Sequence, residues 1–207
     1  MPDFNFEQIA IDDGFTPVCG IDEAGRGPWA GPVVAGAAIL DMARLPYVLK
    51  SGLDDSKKLK AAKREELFLA LQDHADLGVG IASVEEIDEI NILQATLLAM
   101  GRAARDLAAV PGLALVDGNR APVLECPVRT VIRGDGLSLS IAAASIVAKV
   151  TRDRLMARLN DQHPGYGWDH NAGYGTVEHQ KALAKLGVTA HHRRSFKPIR
   201  KLVDPTY

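Results

Sequence analysis

The stretch GIDEAGRGPWAGPVVAGAAIL, residues 20–40, decides how this chain folds, because it joins two apolar runs through a glycine-rich loop. Residues 18–21 and 33–40 have the composition of buried β-strands, and the loop between them is short enough for an antiparallel connection. The first run ends in two adjacent carboxylates, Asp22 and Glu23. A pair of acids at the edge of a core indicates a functional site.

Composition limits the class of protein. The chain has 207 residues, 47% of them hydrophobic, and a formal net charge of −2. This is enough for one sizeable core, and the overall charge gives no sign of a nucleic-acid partner. Cys19 and Cys126 have no metal-type spacing. The N-terminus has no signal-peptide pattern, and no apolar run reaches the ~18 residues of a membrane span. We therefore expect a cytoplasmic protein with no membrane contact.

The remaining elements follow from hydrophobic spacing. Apolar residues recur at three- and four-residue steps from Leu93 to Leu107, which predicts a helix. Thr176 is expected to cap a helix that runs to Gly187. Further strands are predicted at residues 77–84, 113–116 and 128–132, and a further helix at 141–160.

This order predicts an α/β fold, a mixed sheet flanked by helices. Residues 1–207 are expected to form a single domain, with a core at about 16–150 and a helical C-terminal subdomain at about 151–207. The segment before Asp13 is expected to be a disordered arm. The last seven residues, KLVDPTY, are either a partner-binding tail or a frayed end.

Four acids stand at predicted strand ends, most of them beside glycine. They are Asp22, Glu23, Asp117 and Asp135. Each alone is typical of a turn, but together they predict a metal site at the sheet edge, because two carboxylates ~4 Å apart repel by roughly 4 kcal/mol at a dielectric of ~20. Oxygen ligands suit Mg²⁺ or Mn²⁺, and a carboxylate site that holds two ions favours in-line phosphoryl transfer.

Asp22 and Glu23 are not expected to be equivalent ligands. Neighbouring residues of a regular strand point to opposite faces, so both side chains cannot aim at one point. Our hypothesis is that Asp22 is the central ligand. Glu23 would then contribute through its carbonyl, through water, or after a bend in the strand.

The loop Gly25-Arg26-Gly27 has two interpretations. It is either a tight turn or a segment whose backbone comes close to a ligand, since glycine leaves no Cβ in the way. A loop beside an acidic pair can reach the sugar next to a scissile bond, where RNA differs from DNA by its 2′-hydroxyl.

Six segments extend this interpretation to a family. GIDEAGRGPWAGPVVAGA, DDSKKL, LVDGN, RGDGLSLSIAAASIVAKVTRDR, AGYGTVEHQKAL and HHRRSF occur in this order. In order and spacing the chain resembles bacterial ribonuclease HII, the type 2 ribonuclease H. The resemblance implies a ribonuclease H-like fold with a C-terminal helical extension. It also implies an endonuclease that cleaves RNA in RNA·DNA hybrids and incises duplex DNA at single ribonucleotides, leaving 5′-phosphate and 3′-hydroxyl ends.

The resemblance also implies roles for particular residues. The family's metal-binding acids map onto the four acids above, its 2′-hydroxyl-reading loop onto Gly25, Arg26 and Gly27, and its junction-sensing tyrosine onto Tyr174. Ser56 and Lys57 are expected to bind a phosphate, or else to form a helix cap followed by a solvated lysine. Many members carry lysine where this chain has Arg133, which changes any phosphate contact there.

Some residues are open to a structural interpretation. Ser138, Ser140 and Ser145 are candidates for contacts to the DNA strand, although Ser145 is equally expected to pack a helix. Most of the histidines are not expected to act as acids or bases. Trp29 and Trp168 are expected to pack in the core, with stacking on bases or sugars as the alternative. The basic segment 191–201 is either a solvated face or a track for the duplex backbone.

Other classes of function remain possible at this point. A catalytically silent nucleic-acid-binding protein would keep the fold, but it gains nothing from acids that face phosphates. A DNA junction nuclease of the same fold would use the acids without the Gly-Arg-Gly loop. The expected partners are RNA·DNA hybrids and ribonucleotide-containing DNA, and the protein is expected to be a monomer.

Overall fold

The structure of the chain is a computed structural model in which residues 1–204 and 206 are described. The strands are β1 (Val18–Ala24), β2 (Val33–Leu40), β3 (Ala75–Ala82), β4 (Leu113–Asp117) and β5 (Val128–Val131). The helices are α1 (Asn5–Asp12), α2 (Tyr47–Gly52), α3 (Ala61–His74), α4 (Val84–Asp106), α5 (Leu139–Gln162), α6 (Trp168–Asn171), α7 (Val177–Leu186) and α8 (Lys197–Val203), with one 3₁₀ turn at Gly134–Gly136.

The strands form one mixed sheet in the order β3-β2-β1-β4-β5. β1 pairs antiparallel with β2, which pairs antiparallel with β3. β1 and β4 are parallel, as are β4 and β5. The carboxyl ends of these three parallel strands therefore meet at one edge of the sheet. The predicted α/β fold, a mixed sheet flanked by helices, is confirmed.

Two long helices cover the faces of the sheet. α4 packs on one face over Cys19, Ile21 and the inward side chains of β2. α5 packs on the other face, together with α2 and α3. The backbone of α5 lies very close to β1. A Cβ at Gly20 would lie only 2.1 Å from the carbonyl carbon of Ser140. Only glycine allows the α5 backbone to lie directly on β1.

Several expectations about the elements are corrected. The segment before Asp13 is not a disordered arm but contains α1, whose Glu7 and Ala10 are buried. α2 and α3 are elements that hydrophobic spacing did not predict. β3 ends at Ala82 rather than at residue 84, because Ser83 forms a capping box with Glu86 that starts α4.

The C-terminal part is helical, as expected. Thr176 caps α7 by accepting a hydrogen bond from His179 N at 3.2 Å. α5 is continuous through residue 151, where the core was expected to end. Of the C-terminal tail, residues up to Val203 belong to α8, while Pro205 and Tyr207 lie outside the described residues. In the described part of the chain, no helix is long and apolar enough to span a bilayer.

The close packing of α5 predicts opposite effects for two glycine substitutions. Gly20→Ala forces its methyl group into the Ser140 backbone and should lower the free energy of unfolding by about 3 kcal/mol. Gly101→Ala inside α4 meets nothing closer than 3.6 Å and should raise it by about 0.5–1 kcal/mol. Urea unfolding followed by circular dichroism measures both. Equal effects of the two variants would contradict this account of the packing.

Candidate active site

Asp22 lies at the centre of the acidic edge. It is on the same face of β1 as Gly20, towards α5, and is 3% exposed. Its Oδ1 accepts a hydrogen bond from Glu23 N at 2.7 Å, and the Ser145 hydroxyl of α5 lies near enough to lower its pKa slightly, against the larger effect of burial. A short polar chain continues from there, since Ser145 Oγ lies 2.7 Å from Ser56 Oγ.

Asp117 and Asp135 reach the same edge from the neighbouring strands. Asp117 ends β4, beside β1, and its Oδ1 accepts a hydrogen bond from Gly134 N at 2.6 Å. That bond fixes the 3₁₀ turn that follows β5 and carries Asp135, which is 8% exposed. Arg133, before the turn, is exposed and has a left-handed backbone with φ 58°.

The acids interact electrostatically. Burial raises the pKa of Asp22 well above its usual range, and the charges of Glu23 and Asp117 raise it further. Burial also raises the pKa of Glu23, although Arg26 opposes this effect. The pKa of Asp135 is raised by burial and then by the neighbouring Asp55 and Asp117. The edge therefore concentrates negative charge that the protein alone does not neutralise.

Lys57 faces this charge, and Ser56 does not face solvent. Burial lowers the pKa of Lys57, but Asp22 and Asp135 are the leading charges that outweigh burial and raise it overall. The Lys57 side chain is exposed and free to meet a phosphate, whereas Ser56 is 3% exposed and bonded to Ser145. The phosphate-binding prediction for the Ser56 side chain therefore changes to a role in holding Ser145. Asp55, beside Asp135, is a site residue that sequence reasoning missed.

The donor set fits a hydrated hard cation. In residues 1–204 and 206, no group of three or more His, Cys, Asp or Glu side chains is already arranged to hold a metal ion. The four acids nonetheless lie within one another's electrostatic reach. Mg²⁺ keeps several waters and takes only one or two carboxylates, so a preformed cage is not required. Metal binding by these acids stays a prediction.

The Gly-Arg-Gly loop lies between the acids and Tyr174. Arg26 Nη1 is 3.3 Å from Glu23 Oε1. On the other side, a Cβ at Gly27 would lie 3.3 Å from Cε1 of the half-exposed Tyr174 ring. Gly25 has φ +96°, and a Cβ there would overlap the Arg152 side chain, so this position requires glycine. The structure therefore brings together the three predicted loop residues, Tyr174 and the acidic edge.

Two buried arginines hold the connection between β1 and β2, residues 25–32, and sequence reasoning missed both. Arg193 is fully buried and donates hydrogen bonds to the carbonyls of Gly25 at 2.6 Å and Arg26 at 2.9 Å. Arg152 of α5 donates to the Ala30 and Ala172 carbonyls at 3.1 and 3.0 Å. The idea that the whole basic segment 191–201 tracks the duplex is therefore wrong for Arg193, since its guanidinium is inside the protein.

The serines that precede and begin α5 are also buried. The Ser138 and Ser140 hydroxyls donate to Glu7 Oε1 at 2.5 and 2.6 Å, and both residues are 0% exposed. They cannot contact a DNA strand, so that expectation is corrected. Through these bonds α1 anchors the segment that carries Asp135. No pattern in the sequence showed that Glu7 is a core residue.

Comparison with known proteins agrees with this geometry. In fold class the chain is a ribonuclease H-like protein: the ribonuclease H2 of Pyrococcus horikoshii OT3 superposes with a TM-score of 0.75 at 30% identity, over 91% of this chain and 97% of that one. Bst-RNase HIII in complex with Mn²⁺ has the same fold, with a TM-score of 0.73 at 18% identity over 90% of this chain and 68% of that one.

The family is shown by sequence. The Ribonuclease HII family model matches residues 19–199. A Ribonuclease HII of Parvibaculum lavamentivorans is 60% identical over 208 residues, which is 99% of this chain and 75% of the relative. The chain belongs to the ribonuclease HII family, and it is a nuclease, a hydrolase of phosphodiester bonds.

The acidic edge predicts a ranking of carboxylate substitutions. Asp22→Asn should lower kcat/KM for RNA hydrolysis by about 10³-fold, because Asp22 is the most buried of the four acids and faces α5. Glu23→Gln should cost about tenfold. Steady-state kinetics measures both, with the exposed Asp73→Asn of α3 as the control that keeps wild-type activity. A larger loss for Glu23→Gln would contradict the central position of Asp22.

The raised pKa of Asp22 predicts a gain in stability when its charge is removed. Above the unfolded-chain pKa of about 3.9, the buried ionised carboxylate destabilises the fold. Asp22→Asn should therefore raise Tm at pH 7 in EDTA, by about 2–4 °C for each kcal/mol. The gain should disappear below about pH 3, where Asp22 is protonated in both states.

Asp54→Asn is the matched control, because the stability change expected for it has the opposite sign. Hydrogen bonds from Asp55 N and Lys58 outweigh partial burial and lower the pKa of Asp54, so this variant should lose stability at pH 7. Differential scanning calorimetry across the pH range measures both variants. A Tm for Asp22→Asn equal to wild type at pH 7 would refute the proposed cost of the buried charge.

Proposed function

We propose that this protein is a metal-dependent endoribonuclease that hydrolyses the RNA strand of RNA·DNA hybrids and incises duplex DNA at single embedded ribonucleotides. Its products would carry 5′-phosphate and 3′-hydroxyl ends. The residues proposed to hold the metal are Asp22, Glu23, Asp117 and Asp135. The chemistry supplied by a bound pair of Mg²⁺ or Mn²⁺ ions would be activation of the attacking water and stabilisation of the leaving oxygen.

The observation that carries the proposal is the position of the Tyr174 ring against Gly27, with Arg26 beside Glu23. In this arrangement a surface of backbone and aromatic ring lies next to the acidic edge. A 2′-hydroxyl both donates and accepts hydrogen bonds, so it could pair with the backbone groups of residues 25–27. Tyr174 is exposed enough to stack on the next sugar or base.

Other residues of this chain would assist. Lys57 would meet the phosphate near the scissile bond, because its ammonium is exposed and faces the acids. Ser56 would hold Ser145, and Ser145 would in turn orient Asp22. We further propose that residues 1–207 act as one domain, since Arg193 of the C-terminal part donates to the Gly25 and Arg26 carbonyls. The protein is proposed to be monomeric and cytoplasmic.

The alternatives predict different behaviour. A silent binding protein of this fold has no use for four acids that disfavour phosphate, and their mutual repulsion would only lower its stability. A DNA junction nuclease has no use for a ribose-reading loop that the buried Arg193 holds in place. Both arguments favour the ribonuclease.

The decisive experiment is cleavage of a labelled DNA duplex that contains one ribonucleotide, in Mg²⁺, Mn²⁺ or EDTA. We expect metal-dependent incision on the 5′ side of the ribonucleotide and none in EDTA. An all-DNA duplex of the same sequence is the matched substrate and should stay intact. Tyr174→Ala should reduce incision at the single ribonucleotide by about tenfold or more, the equivalent of about 1.4 kcal/mol.

Other outcomes distinguish the alternatives. Cleavage of long RNA·DNA hybrids without incision at the single ribonucleotide would keep the metal site and remove the proposed role of residues 25–27. Binding without any cleavage would support the silent protein, and cleavage of a four-way DNA junction would support the junction nuclease.

A further inference from the structure

A buried cluster of aromatic and histidine side chains lies directly behind Tyr174. Trp168, His179 and His192 are all 0% exposed, and Tyr166 stacks on Trp168 with ring centroids 4.8 Å apart. The expectation that Trp168 packs in the core is confirmed. The two histidines of this cluster also form a chain of hydrogen bonds that reaches the Tyr174 backbone.

The partners of His192 determine its tautomer. Its Nδ1 accepts a hydrogen bond from the backbone N–H of Thr189 at 3.0 Å, and a backbone amide can only donate. The proton of His192 therefore sits on Nε2, which lies 3.0 Å from His179 Nε2 and donates to it.

The partners of His179 determine its tautomer in the same way. Its Nε2 also accepts from the indole N–H of Trp168 at 3.2 Å, so its proton sits on Nδ1. That Nδ1–H donates to the carbonyl of Tyr174 at 3.0 Å. Burial lowers the pKa of both rings, that of His192 to about 4, in agreement with two neutral imidazoles.

The chain of bonds therefore has one direction and one end point. It runs from Thr189 through His192 and His179 to the Tyr174 carbonyl, which also accepts from Thr176 N at 2.8 Å. This carbonyl belongs to Tyr174, whose ring lies against Gly27. The N–H of the preceding Gly173 does not donate to it, and the Gly173 carbonyl accepts a separate hydrogen bond from Trp29 N at 2.8 Å. The His179 bond is thus a side-chain restraint on the Tyr174 backbone.

We propose that His179, oriented by His192, is a positioning residue that sets the specificity of the site by fixing Tyr174 against the Gly25–Gly27 loop. The inference rests on the proposed function, because it gives that tyrosine the role of recognising the junction. Hydrolysis of long hybrids, which offer a ribose at every position, should depend on this restraint much less than incision at a single ribonucleotide.

Two substitutions at His179 separate positioning from stability. His179→Asn keeps an N–H near the place of Nδ1 and so keeps the donor to the Tyr174 carbonyl. It leaves two buried donors, Trp168 Nε1 and His192 Nε2, without an acceptor. His179→Gln does the reverse, since its carbonyl near the place of Nε2 satisfies those donors while the Tyr174 carbonyl loses its side-chain partner.

The measured quantity is the ratio of kcat/KM on a duplex with one ribonucleotide to kcat/KM on a long RNA·DNA hybrid. His179→Gln should lower this ratio by about fivefold, the fold-change that matches a hydrogen bond of about 1 kcal/mol. His179→Asn should keep the wild-type ratio although its Tm is the lower of the two. A purely structural role predicts that the ratio follows Tm, and that result would overturn the proposal.

A double-mutant cycle with Tyr174→Ala gives a second test. If His179 acts through Tyr174, then His179→Gln should change the ratio no further in the Tyr174→Ala background. An undiminished effect in that background would also overturn the proposal. If His179→Gln does not fold, the cycle is run with His192→Asn, which keeps the acceptor for Thr189 and removes the donor to His179.

The wild-type enzyme separates this inference from the proposed function. If the wild type does not incise at a single ribonucleotide, the proposed function fails, and the inference that rests on it fails with it. If the wild type does incise and His179→Gln keeps the full ratio, only the positioning role of His179 fails.

Discussion

The direct contact between α5 and the sheet is the constraint on which the rest of this structure depends. Gly20 and Gly36 have no side chains, and a Cβ at either position would lie under 2.5 Å from the α5 backbone. Because the helix lies so close, Ser145 reaches Asp22. Two turns further along the same helix, Arg152 donates to the carbonyls of Pro32 and Ala30, in the connection that follows the Gly-Arg-Gly loop. One rigid helix therefore sets the position of the acids relative to the loop.

The negative charge of the site is only partly neutralised, by Arg26 beside Glu23 and by Lys57. The two buried guanidiniums, Arg152 and Arg193, are satisfied by backbone carbonyls rather than by the acids. Burial raises the pKa of Asp22, repulsion from Glu23 and Asp117 raises it further, and both effects destabilise the fold. Such a site is costly in an isolated protein and useful to one that binds cations. His179 and His192 stand apart from these acids, since both rings are buried behind Tyr174.

Much of the fold and the candidate site was accessible from the sequence. β2 was predicted with its observed bounds, β4 and β5 to within one residue, and the cap at Thr176 is confirmed. The family and the nuclease class are confirmed as well. Hydrophobic spacing reports only on residues that are apolar, so it does not reveal elements that are anchored or begun by charged side chains. α1 is anchored by a buried glutamate, and α3 begins in a lysine-rich run.

The sequence by itself determined which residues could do chemistry: carboxylates at strand ends, a glycine-flanked arginine, and an ordered set of motifs that belongs to one family. Only the tertiary structure decided which of them meet and which polar residues are internal. Arg193 and Arg194 are adjacent in the chain, yet one is buried and the other exposed. The physical reason is that burial and hydrogen-bond partners depend on residues up to 168 positions away, as between Arg193 and Gly25, and no local pattern records such contacts.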